Sequence, residues 1–156
     1  MKLWIIYNQG IGFSMIIAEM LQERLEDSID VSVGNAKKIE PAFLVEEGLD
    51  YLIIGDVISE VNPSLEIQNW LLKFWEIAKT ININLKAISG FYIMLTDNTV
   101  KPFWVEFIHD NAKVDIIYPP ILCLKLNLTE LSLENKTSEI VKRYSDDFIE
   151  YLINTN

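Results

Sequence analysis

The chain opens on an unbroken apolar run, Leu3-Trp4-Ile5-Ile6-Tyr7, which stops at Asn8-Gln9-Gly10-Ile11-Gly12 and passes into a helical pattern near Phe13. A continuous apolar strand has to be covered on both faces. A strand that turns through glycine straight into a helix begins a βαβ unit. In the helical stretch Phe13 to Leu25, the residues Phe13, Ile16, Ile17, Met20, Leu21 and Leu25 recur at three- and four-residue steps, with Glu19, Gln22, Glu23 and Arg24 opposite. This opening leaves a layered α/β protein as the expected solution.

The alternation continues. Ile29, Val31 and Val33 alternate with polar residues, as in a strand near a sheet edge. Pro41 to Glu47 reads as a short helix, proline in its first turn and Gly48 just past its end. Tyr51-Leu52-Ile53-Ile54-Gly55 is a second buried strand, and Asp56 to Asn62 reads as the loop after it. Asn62-Pro63 offers a cap and a first-turn proline for a helix whose apolar face is Ile67, Leu71, Phe74, Trp75 and Ala78. Ala87 to Leu95 is the next strand, Thr96-Asp97-Asn98-Thr99 a turn, and Pro102 opens a helix carrying Phe103, Trp104, Phe107 and Ile108. Helical spacing predicts that these Trp and Phe residues lie in the core. Val114 to Tyr118 and Ile121 to Leu126 form a strand interrupted by Pro119-Pro120, which requires an edge or a bulge. Residues 127–136 read as a polar connection, and Ile140 to Leu152 as a final helix. Strands that alternate with helices imply a parallel sheet with helices on both faces, because right-handed crossovers leave few other solutions.

The length of 156 residues predicts one domain spanning residues 1–156. A net charge of −10 argues against nucleic acid or an anionic membrane as partner and leaves room for a basic protein. The lone Cys123 allows no internal disulfide and suits a reducing compartment. The opening apolar run is far below the ~20 residues of a membrane span, and the expected location is the cytoplasm.

In an open parallel sheet, ligands bind outside the carboxyl ends of the strands, where the strand order reverses. The loop Asn8 to Ser14 lies there, with main-chain N–H groups at a helix start suited to an anion. A nucleoside triphosphate would need a longer glycine loop ending in lysine, and no lysine lies between Lys2 and Lys37. A dinucleotide would want a third glycine where Met15 stands, and an acid near Gly34-Asn35. A monophosphate remains as the best guest, with Gly12 allowing close approach and Ser14 supplying a hydroxyl.

Gln9-Gly10-Ile11-Gly12-Phe13-Ser14, followed by Ile17-Ala18, resembles the phosphate loop of the flavodoxin family, and Gly12, Ser14 and Gly55 match at motif level. Ala36 to Pro41, Leu44, Asp50 to Gly55, and Ile67, Leu71 and Leu72 resemble that family's second crossover, third strand and third helix. The resemblance implies a three-layer, doubly wound sheet of five parallel strands in the order 2-1-3-4-5. It implies flavin mononucleotide (FMN), with the phosphate held by Gln9, Gly10, Ile11, Gly12, Phe13 and Ser14. The ring would be bordered by Asp56, Val57, Ile58 and Ser59 and by Leu95, Thr96, Asp97 and Asn98. Asp56 would there disfavour an anionic reduced flavin. Flavodoxins usually stack the ring on aromatics from the loops after strands three and four. Here Asp56-Val57-Ile58-Ser59-Glu60-Val61 and Thr96-Asp97-Asn98-Thr99 contain none.

Two functions follow. One is an FMN protein that carries electrons or reduces a small molecule, with a basic redox partner. The other is a flavin-free interaction or regulatory module. Asp56, Thr96 and Lys125 also resemble the phosphoacceptor set of a receiver domain, but Asn8-Gln9 stands where such a domain needs magnesium-binding acids. Cys123 reads as a core residue and His109, the sole histidine, as a helix-end surface residue. Neither can join a zinc set.

Overall fold

A computed structural model of the chain describes residues 1–83, 85–95, 103–111 and 117–155. The elements run β1 (Lys2–Tyr7), α1 (Phe13–Leu25), β2 (Asp30–Asn35), α2 (Pro41–Glu47), β3 (Tyr51–Ile58), α3 (Leu65–Ile81), β4 (Ala87–Met94), α4 (Trp104–Asn111), β5 (Leu122–Asn127), β6 (Ser132–Leu133) and α5 (Thr137–Thr155). The sheet order is β2-β1-β3-β4-β5-β6. Strands β1 to β5 pair in parallel in the predicted order, and β6 adds an antiparallel edge through Leu126↔Leu133 and Asn127↔Ser132. The expected five strands are therefore six. The extra one comes from a hairpin within the segment read as a polar connection, where only Leu131 and Leu133 hint at pairing.

Alternation along the strands sorts the core into two layers. Leu3, Ile5, Tyr51, Ile53, Phe91, Ile93 and Leu124 face α1 and α5, where Ile17, Leu21, Val141 and Phe148 cover them. Trp4, Ile6, Leu52, Ile54, Ile58, Ile88 and Tyr92 face α2, α3 and α4, under Leu44, Ile67, Trp70, Phe74 and Trp104. Most of the stability resides in these layers, since each fully buried large apolar side chain contributes about 1.5–3 kcal/mol.

Several expectations need correction. β3 does not end at Gly55. Asp56, Val57 and Ile58 continue it and pair with Tyr92, Ile93 and Met94 of β4. A lone acid within an apolar run reads as a strand end, yet the backbone ladder carries on past it. The α3 cap is Ser64, whose hydroxyl accepts the Ile67 N–H, rather than Asn62. Phe103 is exposed because the helix proper begins at Trp104, and Ile16 is exposed on α1. Cys123 is exposed rather than core, because the apolar side of β5 is that of Leu124 and Leu126. In the interrupted strand, Ile117 makes a single parallel bridge to Ile88 before the prolines, and regular pairing resumes at Leu122.

Candidate functional site

The switch point of the sheet lies at β1. Tyr7 pairs with Asn35 of β2 on one side and Gly55 of β3 on the other. The chain leaves the sheet through Asn8, whose N–H donates to the Gly55 carbonyl at 3.0 Å, while Ala36 N–H donates to the Tyr7 carbonyl at 2.8 Å. A turn then closes from Gly12 N–H to the Gln9 carbonyl at 3.0 Å. Gly10 and Gly12 have φ of +41° and +93°, so both turns need residues that tolerate the left-handed region. Gly12 caps α1 without a side-chain hydrogen bond. Among the described residues, the N–H groups of Gly10, Ile11, Phe13, Ser14 and Met15 find no acceptor. A Cβ on Gly12 would meet nothing within 4 Å, so the space above it is open. Five unspent donors at a helix start form an anion-receptive cluster.

Ser14 takes a different part from the one expected. It is fully buried, and its hydroxyl donates inward to the Asn8 carbonyl, with Asn8 Oδ1 also at 3.3 Å. Its single hydrogen pins the loop from beneath. Phe13 is half-buried against the α1 layer, and Gln9 and Ile11 are exposed. The Gln9 side chain accepts from Asn35 Nδ2 at 3.2 Å, which ties the loop to the end of β2.

A groove of about 560 Å³ opens on the β2 side of this loop, lined by Gln9, Gly12, Met15, Asn35, Lys38 and others. Lys38 supplies the positive charge that the loop itself lacks. Lys37, its neighbour, pairs with Glu66 at 3.6 Å, and Glu66 accepts the Gln9 N–H at 3.4 Å. Lys38 lies just past the lysine-free stretch between Lys2 and Lys37. The available signal was topological: β1 and β2 are parallel neighbours, so the residues just after β2 stand beside the loop after β1.

Asp56 lies on the opposite flank, fully buried on the α3 and α4 face of β3. Its Oδ1 accepts from Asn8 Nδ2 at 2.5 Å, Val57 N–H at 2.9 Å and the Ser64 hydroxyl at 2.7 Å. Its Oδ2 accepts from Ser64 N–H at 2.9 Å and Trp104 Nε1 at 3.1 Å. Trp104 reaches it from α4, with its indole near Gly90 and stacked on Tyr92 at 6.3 Å. Burial pushes the Asp56 carboxyl up to about 6, while its hydrogen bonds from Ser64, Trp104 and Val57 pull the other way. Bonds to a charged group are worth about 1.5–3 kcal/mol each, and here they offset part, but not all, of the cost of taking the carboxylate out of water. Enclosed in this way, Asp56 offers no free oxygen to a phosphoryl group or a metal.

Val57 is nearly buried, and a Cβ on Gly10 would lie 3.0 Å from its Cγ2, so Val57 props the loop from below. Ile58 is buried, Ser59 is exposed, and Leu95 is half-buried. A second cavity of about 340 Å³ lies by Val57, Ser59, Asn62, Ser64 and Gln68. The expected contacts at Thr96, Asp97 and Asn98 lie outside the described residues. The structure thus brings Gln9 to Ser14 together with Val57 and Asp56 and adds Asn8, Asn35, Lys38 and Ser64, none of which was singled out as a site residue. Among the described residues no group of His, Cys, Asp and Glu could hold a metal ion, and no helix is long and apolar enough to cross a membrane.

No protein-family model and no curated protein sequence matches the chain. Solved structures do. The chain is similar to rubredoxin oxygen:oxidoreductase from Desulfovibrio gigas at 13% identity and a TM-score of 0.73, over 98% of this chain and 36% of that one. It is similar to oxidised flavodoxin 1 from Bacillus cereus at 14% identity and a TM-score of 0.70, over 97% of this chain and 99% of that one. It is also similar to a flavodoxin from the domain Archaea at 16% identity and a TM-score of 0.71, over 98% and 99%. The chain thus spans about a third of the oxygen oxidoreductase and almost the whole of each flavodoxin. At these identities the likeness is one of fold, and the fold is flavodoxin-like.

Proposed function

We propose that this chain binds FMN through the strand-one loop and works in the cytoplasm as an electron carrier or small-molecule reductase. The observation that carries the reading is the cluster of free N–H groups at Gly10, Ile11, Phe13, Ser14 and Met15 around the open face of Gly12. These donors and the nearby Lys38 suit a phosphate monoester, which a helix start can hold without a lysine in the loop itself. FMN would supply the capacity to take up and release electrons. The protein's part would be to hold the phosphate through those amides, to set Val57 and Gly10 against each other beneath it, and to border the ring with Ile58, Ser59 and Leu95. Net charge of −10 favours a basic redox partner. Offered excess FMN, the purified protein should quench flavin fluorescence and retain one flavin per chain on desalting. Failure on both counts ends this reading.

A second reading, a flavin-free interaction module, draws on a specific observation. Asp56, Val57 and Ile58 are packed into β3 rather than lining an open slot, and no aromatic occurs from Ser59 to Ser64. A stable complex with a basic protein, with no cofactor in either component, would favour it. Flavin at a one-to-one ratio would exclude it.

A further inference from the structure

The buried Asp56 carboxylate is tied to both sides of the strand-one loop. One arm runs through Asn8, which donates to Asp56 Oδ1 at 2.5 Å and in turn receives the Ser14 hydroxyl from the first turn of α1. The other arm runs through Ser64, which gives Asp56 both its hydroxyl and its N–H and caps α3. Glu66, in that same first turn, accepts the Gln9 N–H. Asn8, Gln9 and Ser14 flank the free amides; Asn8 and Ser14 trace back to the Asp56 carboxylate, and Gln9 is held by Glu66 in the helix turn that Ser64 caps. Among the described residues every group on Asp56 donates to it, including Trp104 Nε1 from α4, and the one group able to accept, the Ser64 hydroxyl, already accepts from Asn8 Nδ2 at 3.1 Å and from the Ile67 N–H. A protonated Asp56 would therefore point its own hydrogen at donors, and one of the arms would have to let go.

We infer that Asp56 is a positioning residue for the loop: its negative charge holds Asn8 and Ser64 so that the amides of residues 10–15 converge, and losing that charge loosens the loop and weakens its hold on an anion. Among the described residues no oppositely charged side chain pairs with Asp56. Among the described residues, the ionisable groups on the surrounding elements are Glu66 on α3, turned to Gln9 and Lys37, with Lys73, Glu76 and Lys79 farther along that helix; exposed Glu60 in the β3–α3 connection; Tyr92 on β4, stacked behind Trp104; and Glu106, His109 and Asp110 on α4. Among the described residues the charge is thus held by neutral donors alone, and the loop is placed to respond to its loss.

The binding half of this inference rests on the FMN reading; the loop-holding half does not. The test is amide hydrogen exchange at Asn8, Gly12 and Ile16, three amides of the loop and the first turn of α1 that bond to main-chain carbonyls, referenced to Ile5 and Ile53 in the sheet. After correction for the intrinsic pH dependence of exchange, protection at the three loop amides should fall at least tenfold between pH 8 and pH 5, with the change centred near 6, while Ile5 and Ile53 hold. Asp56→Asn should be fast at the loop at both pH values and insensitive to the change. Equal behaviour of loop and sheet amides, or a variant with wild-type loop protection, overturns the inference. If Asp56→Asn does not fold, the wild-type pH profile decides alone. FMN affinity provides the second readout: Asp56→Asn should bind at least tenfold more weakly at pH 8. The cofactor's own phosphate titrates near 6, so the variant is also the control for the pH dependence of binding. Wild-type protein that binds no FMN but shows the pH-dependent loop would end the FMN reading and sustain this one.

Discussion

The ring tip of Phe91 occupies the space that a Cβ on Gly55 would need: that Cβ would lie 2.2 Å from Phe91 Cζ. The two residues are register partners on β3 and β4 and share the α1 side of the sheet. Gly55→Ala should therefore cost about 1–3 kcal/mol through overpacking, seen as a lower urea midpoint with an unchanged m-value. Phe91→Leu in the same chain should recover part of the loss. A wild-type midpoint for Gly55→Ala would show that the ring is free to move.

That pair illustrates what could be read from sequence. The alternation of strands and helices followed from apolar runs, helical spacing and, for α2, from Pro41 and Gly48, because burial on both faces leaves a strong local signature; the spatial order of the strands came with the resemblance to flavodoxins. The glycine turn after β1 was legible because glycine is needed where φ turns positive. The Asp56 network was not, because it joins residues 48 apart in the chain and its partners, Asn8, Ser64 and Trp104, each have an ordinary local reading as loop, cap or core. Lys38 escaped notice for the same reason: only the pairing of β1 with β2 sets it beside the loop.

Ser14 separates a structural from a binding role. Its hydroxyl is turned to Asn8, so Ser14→Ala should lower stability by about 1–2 kcal/mol, the cost of leaving a buried acceptor unpaired. FMN affinity should change by less than threefold, since the Ser14 N–H remains. Titration calorimetry alongside urea unfolding checks both. A tenfold loss of affinity with unchanged stability would return the hydroxyl to the phosphate.

Gly12 should behave in the opposite way. Its φ of +93° makes Gly12→Ala strained by about 1 kcal/mol although nothing crowds the new methyl. That methyl would stand where an anion must approach, so FMN retention on desalting should be lost while the urea midpoint shifts only slightly.

Lys38 should act through charge. Lys38→Ala should weaken FMN binding by about three- to tenfold at low salt, and the gap to wild type should shrink at high ionic strength, because exposed charges are screened over about 10 Å at 0.1 M. Equal affinities for the two proteins at low salt would remove Lys38 from the site.

The stability of the fold should carry the mark of Asp56 with a definite sign. Its folded value of about 6 exceeds its ordinary value of 3.8, because burial outweighs five hydrogen bonds. The folded state therefore holds the proton more tightly. The contribution is fully present below pH ~4 and is lost as pH rises through 6, a difference of about 3 kcal/mol at 1.36 kcal/mol per pH unit. Asp50 runs the other way: although burial raises it, the Lys2 N–H and Lys86 hold it below its usual range, so its contribution is lost on acidification. Asp56→Asn leaves Asp50 untouched. The stability of the variant relative to wild type should consequently rise by about 2 kcal/mol from pH 4 to pH 7 in urea unfolding, since at pH 4 the unfolded carboxyl is already partly ionised. Global stability and loop protection would then move in opposite directions as the pH falls, since protonation removes a buried charge and at the same time frees the loop that the charge was holding. Parallel stability curves for the two proteins across this range would show that Asp56 titrates in the fold much as it does in the unfolded chain.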